Sequence, residues 1–101
     1  MALSKEARQM YDGIRDEYGI QDKAGLSMLL AAAESLDMVR KAEKEIEKHG
    51  LVIEDKYSKV KSNPACIILK DHRTLMLNYL KALSLDFSTV DIEMYGKTGK
   101  N

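Results

Sequence analysis

A glycine–lysine–threonine triplet is the first group in this sequence whose residue types and spacing could do chemistry. Gly96, Lys97 and Thr98 match the end of the phosphate-binding loop G-x-x-x-x-G-K-[ST], in which backbone N–H groups and the lysine hold phosphates. The full pattern needs another glycine five residues before Gly96, and that position is Asp91. The sequence therefore argues against a nucleotide site of this kind.

Two histidines and their acidic neighbours are the next candidates, for acid–base or metal chemistry. His72 lies between Asp71 and Arg73, and neighbouring helical positions point roughly 100° apart, so we expect no convergence on one substrate. Glu45 and His49 could share a metal ion, but two ligands are too few for a closed site. We therefore expect no catalytic residue, no metal site and no cofactor.

A lysine-rich segment is the most uneven charge in the chain. From Lys56 through Lys70 there are four lysines and no acidic residue. Long cations on a loop are suited to contact phosphate backbones, and a tyrosine among them could stack on a base or sugar. The alternative is an ordinary solvated loop with a packed tyrosine. The candidate DNA-binding residues are Lys56, Tyr57, Lys59 and Lys61.

Composition limits what this segment can do alone. The 101 residues carry 16 basic and 16 acidic side chains, so binding of a polyanion must come from uneven placement or from several copies acting together. Apolar residues make up 45% of the chain, which is typical of a folded domain. Cys66 is the single cysteine, which favours a reducing compartment.

The elements that must position these residues are predicted to be helices, so the fold class is all-α. One proline, six glycines and no tryptophan are typical of a helical protein. Apolar residues recur at helical spacing, with caps or stops at Ser4, Gly19, Asp22 and Gly50 and a helix start at Asn63-Pro64. The predicted helices are 4–18, 22–49 and 64–84.

The second and third helices are predicted to form an antiparallel hairpin. Their connector, 51–62, is predicted to be extended or a short β-hairpin. Together with the first helix they would make one helical domain over residues 1–86, followed by a tail, 87–101, with a possible short helix at 88–94. The solvent side of the second helix is predicted to carry Asp37, Lys41 and Glu45.

A size comparison predicts self-association. A helix over 22–49 would be roughly 42 Å long, whereas a compact domain of this length is roughly 34 Å across. Apolar surface would stay uncovered unless a second copy covered it. The alternative is that the first helix folds back over the same face. The predicted interface residues are Met28, Leu29, Ala32, Leu36, Val39, Ile67, Met76 and Leu80.

The order of these features resembles the P27 family of phage terminase small subunits over residues 3–86. The resemblance rests on LLAAAESLD at 29–37, on YSKVKSNPA at 57–65, and on Asp71, Arg73 and LSLD at 83–86. The family usually has Leu-Gly-Leu where this chain has Leu-Ser-Leu, which bears on the turn after the third helix.

The resemblance implies a non-enzymatic component of viral DNA packaging in the cytoplasm of the bacterial host, without membrane contact. Such subunits form rings, recognise double-stranded viral DNA and present it to a large terminase subunit that holds the ATPase and nuclease. Lys56, Lys59 and Lys61 would contact phosphates, and the tail would dock the large subunit.

Two other functions stay open at this point. The neutral net charge is also compatible with a helical regulator that binds only protein. A small helical enzyme of the chorismate mutase kind would need several cations aimed at a dianion, and here the arginines are scattered at Arg8, Arg15, Arg40 and Arg73.

Overall fold

The computed structural model describes residues 2–83, and the predictions for the tail, for helix 88–94 and for the Gly96–Thr98 triplet lie outside them. The fold is mostly helical, as predicted, with one small two-stranded sheet in the connector. The connector takes the β-hairpin alternative. The elements are α1 Lys5–Tyr18, α2 Lys23–His49, β1 Val52–Glu54, β2 Val60–Ser62 and α3 Ala65–Ala82.

The helix ends lie where the sequence predicts them. Ser4 Oγ accepts a hydrogen bond of 3.1 Å from the backbone N–H of Ala7, and Asp22 Oδ2 accepts one of 2.8 Å from Gly25. α1 ends at Gly19, whose φ of 61° is a left-handed conformation that favours glycine.

Helices α2 and α3 form the predicted antiparallel hairpin. Asn63, just before α3, bonds to the carbonyl of Gly50 at the end of α2, while Arg73, farther along α3, reaches Glu43, which is earlier in α2. The pairing therefore runs in opposite directions along the two helices. At roughly 1.5 Å per residue, α2 is about 40 Å long and extends well beyond α3.

Helix α1 packs on this hairpin and closes the core. Ala7, Met10 and Ile14 of α1 are each at most 1% exposed and belong to the same apolar cluster as residues of α2 and α3. The alternative in which the first helix folds back is thus the observed arrangement for this face. The members of the cluster from α2 and α3 are Leu29, Ala32, Ala33, Leu36, Met76 and Leu80.

The assignment of residues to an interface between copies is corrected by this packing. Six of the eight predicted residues are buried within the single chain, and all of them except Val39 belong to the core cluster of the three helices: Leu29, Ala32, Leu36, Val39, Met76 and Leu80. Met28 is half-buried, and Ile67 is 62% exposed.

The predicted solvent position of Asp37 is also corrected. Its carboxylate is buried and accepts hydrogen bonds from the backbone N–H and from the hydroxyl of Ser4. The start of α1 therefore crosses over this turn of α2, while Lys41 and Glu45 are exposed as predicted.

Candidate nucleic-acid interface

The two short strands form a hairpin with one exposed apolar face. Val52 pairs with Ser62, Ile53 with Lys61 and Glu54 with Val60. Because side chains alternate along a strand, Val52, Glu54, Val60 and Ser62 share one face. The two valines on it are 56% and 68% exposed, whereas Ile53 on the opposite face is half-buried.

The turn of the hairpin is held by Asp55. Its Oδ1 accepts hydrogen bonds from the backbone N–H groups of Tyr57, at 2.8 Å, and Lys59, at 3.0 Å. Its own N–H donates to the carbonyl of Lys59 at 2.9 Å, and Ser58 has a positive φ of 63°. The backbone that carries the lysines is therefore fixed by bonds within the turn.

The four predicted DNA-binding residues come together on this hairpin. Lys56 and Tyr57 lie in the turn, with the Lys56 Nζ 5.3 Å from the centre of the Tyr57 ring. Lys59 and Lys61 share the face opposite to the valines, by the register of the strands. All four side chains are exposed, Tyr57 by 72%, so this tyrosine is not packed in the core.

The base of the hairpin is clamped by Asn63. Its Nδ2 donates to the carbonyl of Gly50 at 2.8 Å, its Oδ1 accepts from the N–H of Ala65 at 3.0 Å, and its own N–H donates to the carbonyl of Leu51 at 2.8 Å. Asn63 thus caps α3 as predicted and also fixes the end of α2.

Asp55 and the second role of Asn63 are the functional positions that sequence reasoning missed. The signal for Asp55 is an aspartate opening a polar turn, D-x-Y-S-K, where Asx turns are common. No sequence signal points to the bond between Asn63 and Gly50, because it depends on how the helices meet.

The histidines and arginines occupy other places. His72 lines a shallow cleft between α2 and α3 with Glu34, Met38 and Leu75, and within residues 2–83 its Nδ1 is buried without a hydrogen-bond partner. His49 Nε2 lies 3.6 Å from Glu45 Oε1. Among the described residues, no group of three or more potential ligands could hold a metal ion.

The scattered arginines each pair with acids of the same chain. Arg8 and Arg15 both approach Asp12, and Arg15 also bonds to Asp16. The remaining two join helices: Arg40 bonds to Glu6 and Glu43, and Arg73 to Glu43. The described structure therefore brings no set of arginines together around a common pocket.

Fold and hairpin together define a small, mostly helical protein with a cationic strand pair on a packed helix hairpin. Within residues 2–83, none of the helices could span a lipid bilayer. The chain belongs to the phage terminase small-subunit family: the family model described as "Phage terminase, small subunit" matches residues 7–90. Membership supports a role in phage packaging. Neither the curated proteins nor the solved structures gave a significant match.

Proposed function

We propose that this chain is a P27-type terminase small subunit: a non-enzymatic adaptor that assembles into a ring, binds viral double-stranded DNA and presents it to the large terminase subunit. It would act in the cytoplasm of the bacterial host. The observation that carries the proposal is the hairpin, where Lys56 and Lys59 are exposed on a turn fixed by Asp55 and Lys61 is exposed on the adjoining strand β2.

Phosphate contact suits these lysines better than a structural role. Among residues 2–83 none of the three forms an ion pair with an acidic side chain within 4.0 Å, although Glu54 and Asp55 are near in sequence. Asp55 instead accepts two backbone hydrogen bonds. The ammonium groups therefore stay available for phosphates.

Self-association would raise the affinity for DNA above that of a single hairpin. A single neutral chain with a small cationic patch would bind DNA weakly, but several copies in one assembly combine weak contacts through effective concentration. Ile67, Leu75 and Leu77 on α3 are 39% to 62% exposed, which leaves apolar surface for a neighbouring copy.

The DNA contact is tested by replacing Lys56, Lys59 and Lys61 together with alanine. We expect weaker binding to duplex DNA and a flatter dependence of log K on log salt, since each lost phosphate contact removes about 0.9 from the slope. The measurement is a salt titration of binding by fluorescence anisotropy.

A matched control variant replaces three exposed lysines of α2 with alanine: Lys41, Lys44 and Lys48. It removes the same charge as the hairpin variant, but from a different part of the surface. If both variants lost the same amount of salt slope, the effect would come from the net charge of the chain and not from the position of the lysines on the hairpin. An unchanged slope in the hairpin variant would remove the hairpin from the DNA site.

Native mass and partner binding test the rest of the proposal. Light scattering at micromolar concentration should give a closed assembly of more than two chains. A chain that binds no duplex at low salt but still binds a large terminase subunit would favour the alternative, a regulator that binds only protein. The neutral net charge is compatible with that alternative.

A further inference from the structure

Lys70 is the fourth lysine of the acid-free segment and lies outside the hairpin. It belongs to α3, whose first residue, Ala65, comes two positions after the clamp at Asn63. At 1.5 Å per residue, Lys70 is about 7.5 Å along the helix axis from Ala65. The cations of the hairpin and of the first turns of α3 therefore lie at the same end of the helix pair.

Lys70 begins an exposed polar stripe along α3. Thr74, Asn78 and Lys81 follow it by four, eight and eleven residues, a spacing that keeps all four on one face of a helix. All four side chains are exposed. Lysine, threonine and asparagine are side chains through which proteins donate hydrogen bonds to the phosphates of DNA. These four residues are called the α3 stripe below.

The lysines of the α3 stripe have no acidic partner. Across residues 2–83, neither Lys70 nor Lys81 takes part in an ion pair within 4.0 Å. No aspartate or glutamate stands three or four positions from either lysine. Asp71, the single acid of α3, lies at the edge of the stripe. The positive charge of the stripe is therefore not compensated on the helix surface.

The exposed lysines of α2 have a different setting. Lys41, Lys44 and Lys48 each have Glu45 or Glu47 three or four positions away. Opposite charges at this spacing are neighbours on a helix surface, so they weaken the field that a polyanion meets there. Exposure alone thus does not distinguish a lysine that contacts phosphate, whereas the charge around it separates α3 from α2.

We propose that the α3 stripe is a second DNA contact, in which Lys70 and Lys81 bind phosphates of the duplex that the hairpin holds. This inference rests on the DNA-binding role in the proposed function and extends its surface along α3. The two lysines are roughly 16 Å apart along the helix axis, so they contact different phosphates. Each copy then adds two phosphate contacts to those of its hairpin.

Replacing both lysines with alanine tests the contact. K70A/K81A should flatten the dependence of log K on log salt by about 1.8, since each lost phosphate contact removes about 0.9 from the slope. The loss should add to that of the lysine-to-alanine variant of the hairpin when the two are combined. K70R/K81R should keep the slope, because arginine carries the same charge and also binds phosphate. Fluorescence anisotropy with one duplex measures all variants.

Controls on α2 separate the position of a charge from its amount. K41A/K44A removes the same charge as K70A/K81A and should change the slope little. T74E places a carboxylate within the stripe and should lower the affinity about fivefold, as for two like charges roughly 4 Å apart in water. S27E makes the same change at an exposed position of α2 and should have a smaller effect.

Light scattering on the same variants separates DNA contact from contact between copies, because Ile67 and Leu77 border the stripe and are exposed. K70A/K81A should have the mass of the unchanged protein. A lower mass would assign the stripe to contact between copies and would overturn the inference. Circular dichroism checks that the helices persist.

Failure of this inference and failure of the proposed function give different results. A flatter slope in the hairpin variant with an unchanged slope in K70A/K81A would remove the α3 contact and leave the hairpin as the DNA site. Equal flattening in K70A/K81A and K41A/K44A would also overturn the contact, since only the net charge would matter. An unchanged slope in both the hairpin variant and K70A/K81A would remove the DNA-binding role itself.

Discussion

The guanidinium of Arg40 donates two parallel hydrogen bonds to the carboxylate of Glu6, Nε to Oε1 and Nη2 to Oε2, each 2.9 Å long. The pair joins α1 to α2 across 34 positions of sequence. Arg40 also bonds to Glu43, which accepts a further bond from Arg73 on α3, each 2.9 Å long. One connected set of charges therefore links all three helices.

Replacing Glu6 with glutamine should lower the free energy of unfolding by about 1 kcal/mol, because the amide keeps one acceptor oxygen and this pair is partly exposed. Urea denaturation measures the difference. Glu47→Gln, on the exposed side of α2, is the matched control and should change stability little.

The effect of Glu6→Gln should be constant across neutral and mildly alkaline pH. The hydrogen bond with Glu6 raises the pKa of Arg40 above its usual range. A raised pKa in the folded state gives stability that is present below the unfolded pKa and is lost only as pH rises through the folded one. A difference that fades near neutral pH would contradict this account.

Ser4 and Asp37 should show strong coupling in a double-mutant cycle. Ser4 Oγ caps α1 and donates to Asp37, so Ser4→Ala loses a cap and leaves a buried carboxylate short of a donor. We expect about 1–2 kcal/mol for Ser4→Ala. The double change with Asp37→Ala should cost less than the sum of the single changes. Additive costs from urea denaturation would count against the bond.

Leu80 and Ile67 were both predicted to lie at the interface, but Leu80 is buried and Ile67 is exposed, so their replacement should change the free energy of unfolding by very different amounts. Leu80→Ala should cost about 2–5 kcal/mol of unfolding free energy, because it opens a cavity in the core of the single chain. Ile67→Ala should stay within about 0.5 kcal/mol under conditions where the chain is monomeric. Similar costs for both would contradict the assignment of Leu80 to the core and Ile67 to the surface.

Ser58→Gly should tighten the cationic turn. Serine at a positive φ carries a steric cost that glycine avoids, and its removal should stabilise the hairpin by about 0.5 kcal/mol. The greater conformational entropy of glycine in the open state should reduce this gain. Hydrogen exchange of the Asp55 amide, which bonds across the turn, reports this local change. Faster exchange would show that the turn does not hold Ser58 in this conformation.

The helices could be predicted because their signals are local. Caps at Ser4 and Asp22 and the Asn63-Pro64 start each act within one turn of their own helix. The hairpin was one of two alternatives, since short strands carry a weak pattern. Three of the four candidate DNA-binding residues were predicted from charge and Tyr57 from its capacity to stack, and the structure places all four on one hairpin.

What the sequence could not predict depends on which segment covers which face. Helical spacing marks Leu29 and Leu80 as apolar positions, but the same pattern serves a core or an interface. The sequence pattern places Asp37 in a row of solvent-exposed charges on α2. In the structure the start of α1 crosses over Asp37, and Ser4 donates hydrogen bonds to its carboxylate. These outcomes come from contacts between residues far apart in sequence.

The clamp at Asn63 separates the proposed DNA-binding hairpin from the folded core of the helices. Residues 52–62 contribute no member to the buried cluster, and Asn63 closes the helix hairpin beneath them with its own bonds. Lysines, valines and turn length can therefore change during evolution without loss of the helical scaffold. If the hairpin carries the proposed DNA contacts, a replacement of about a dozen residues at this surface position would change what the protein binds and leave its helices intact.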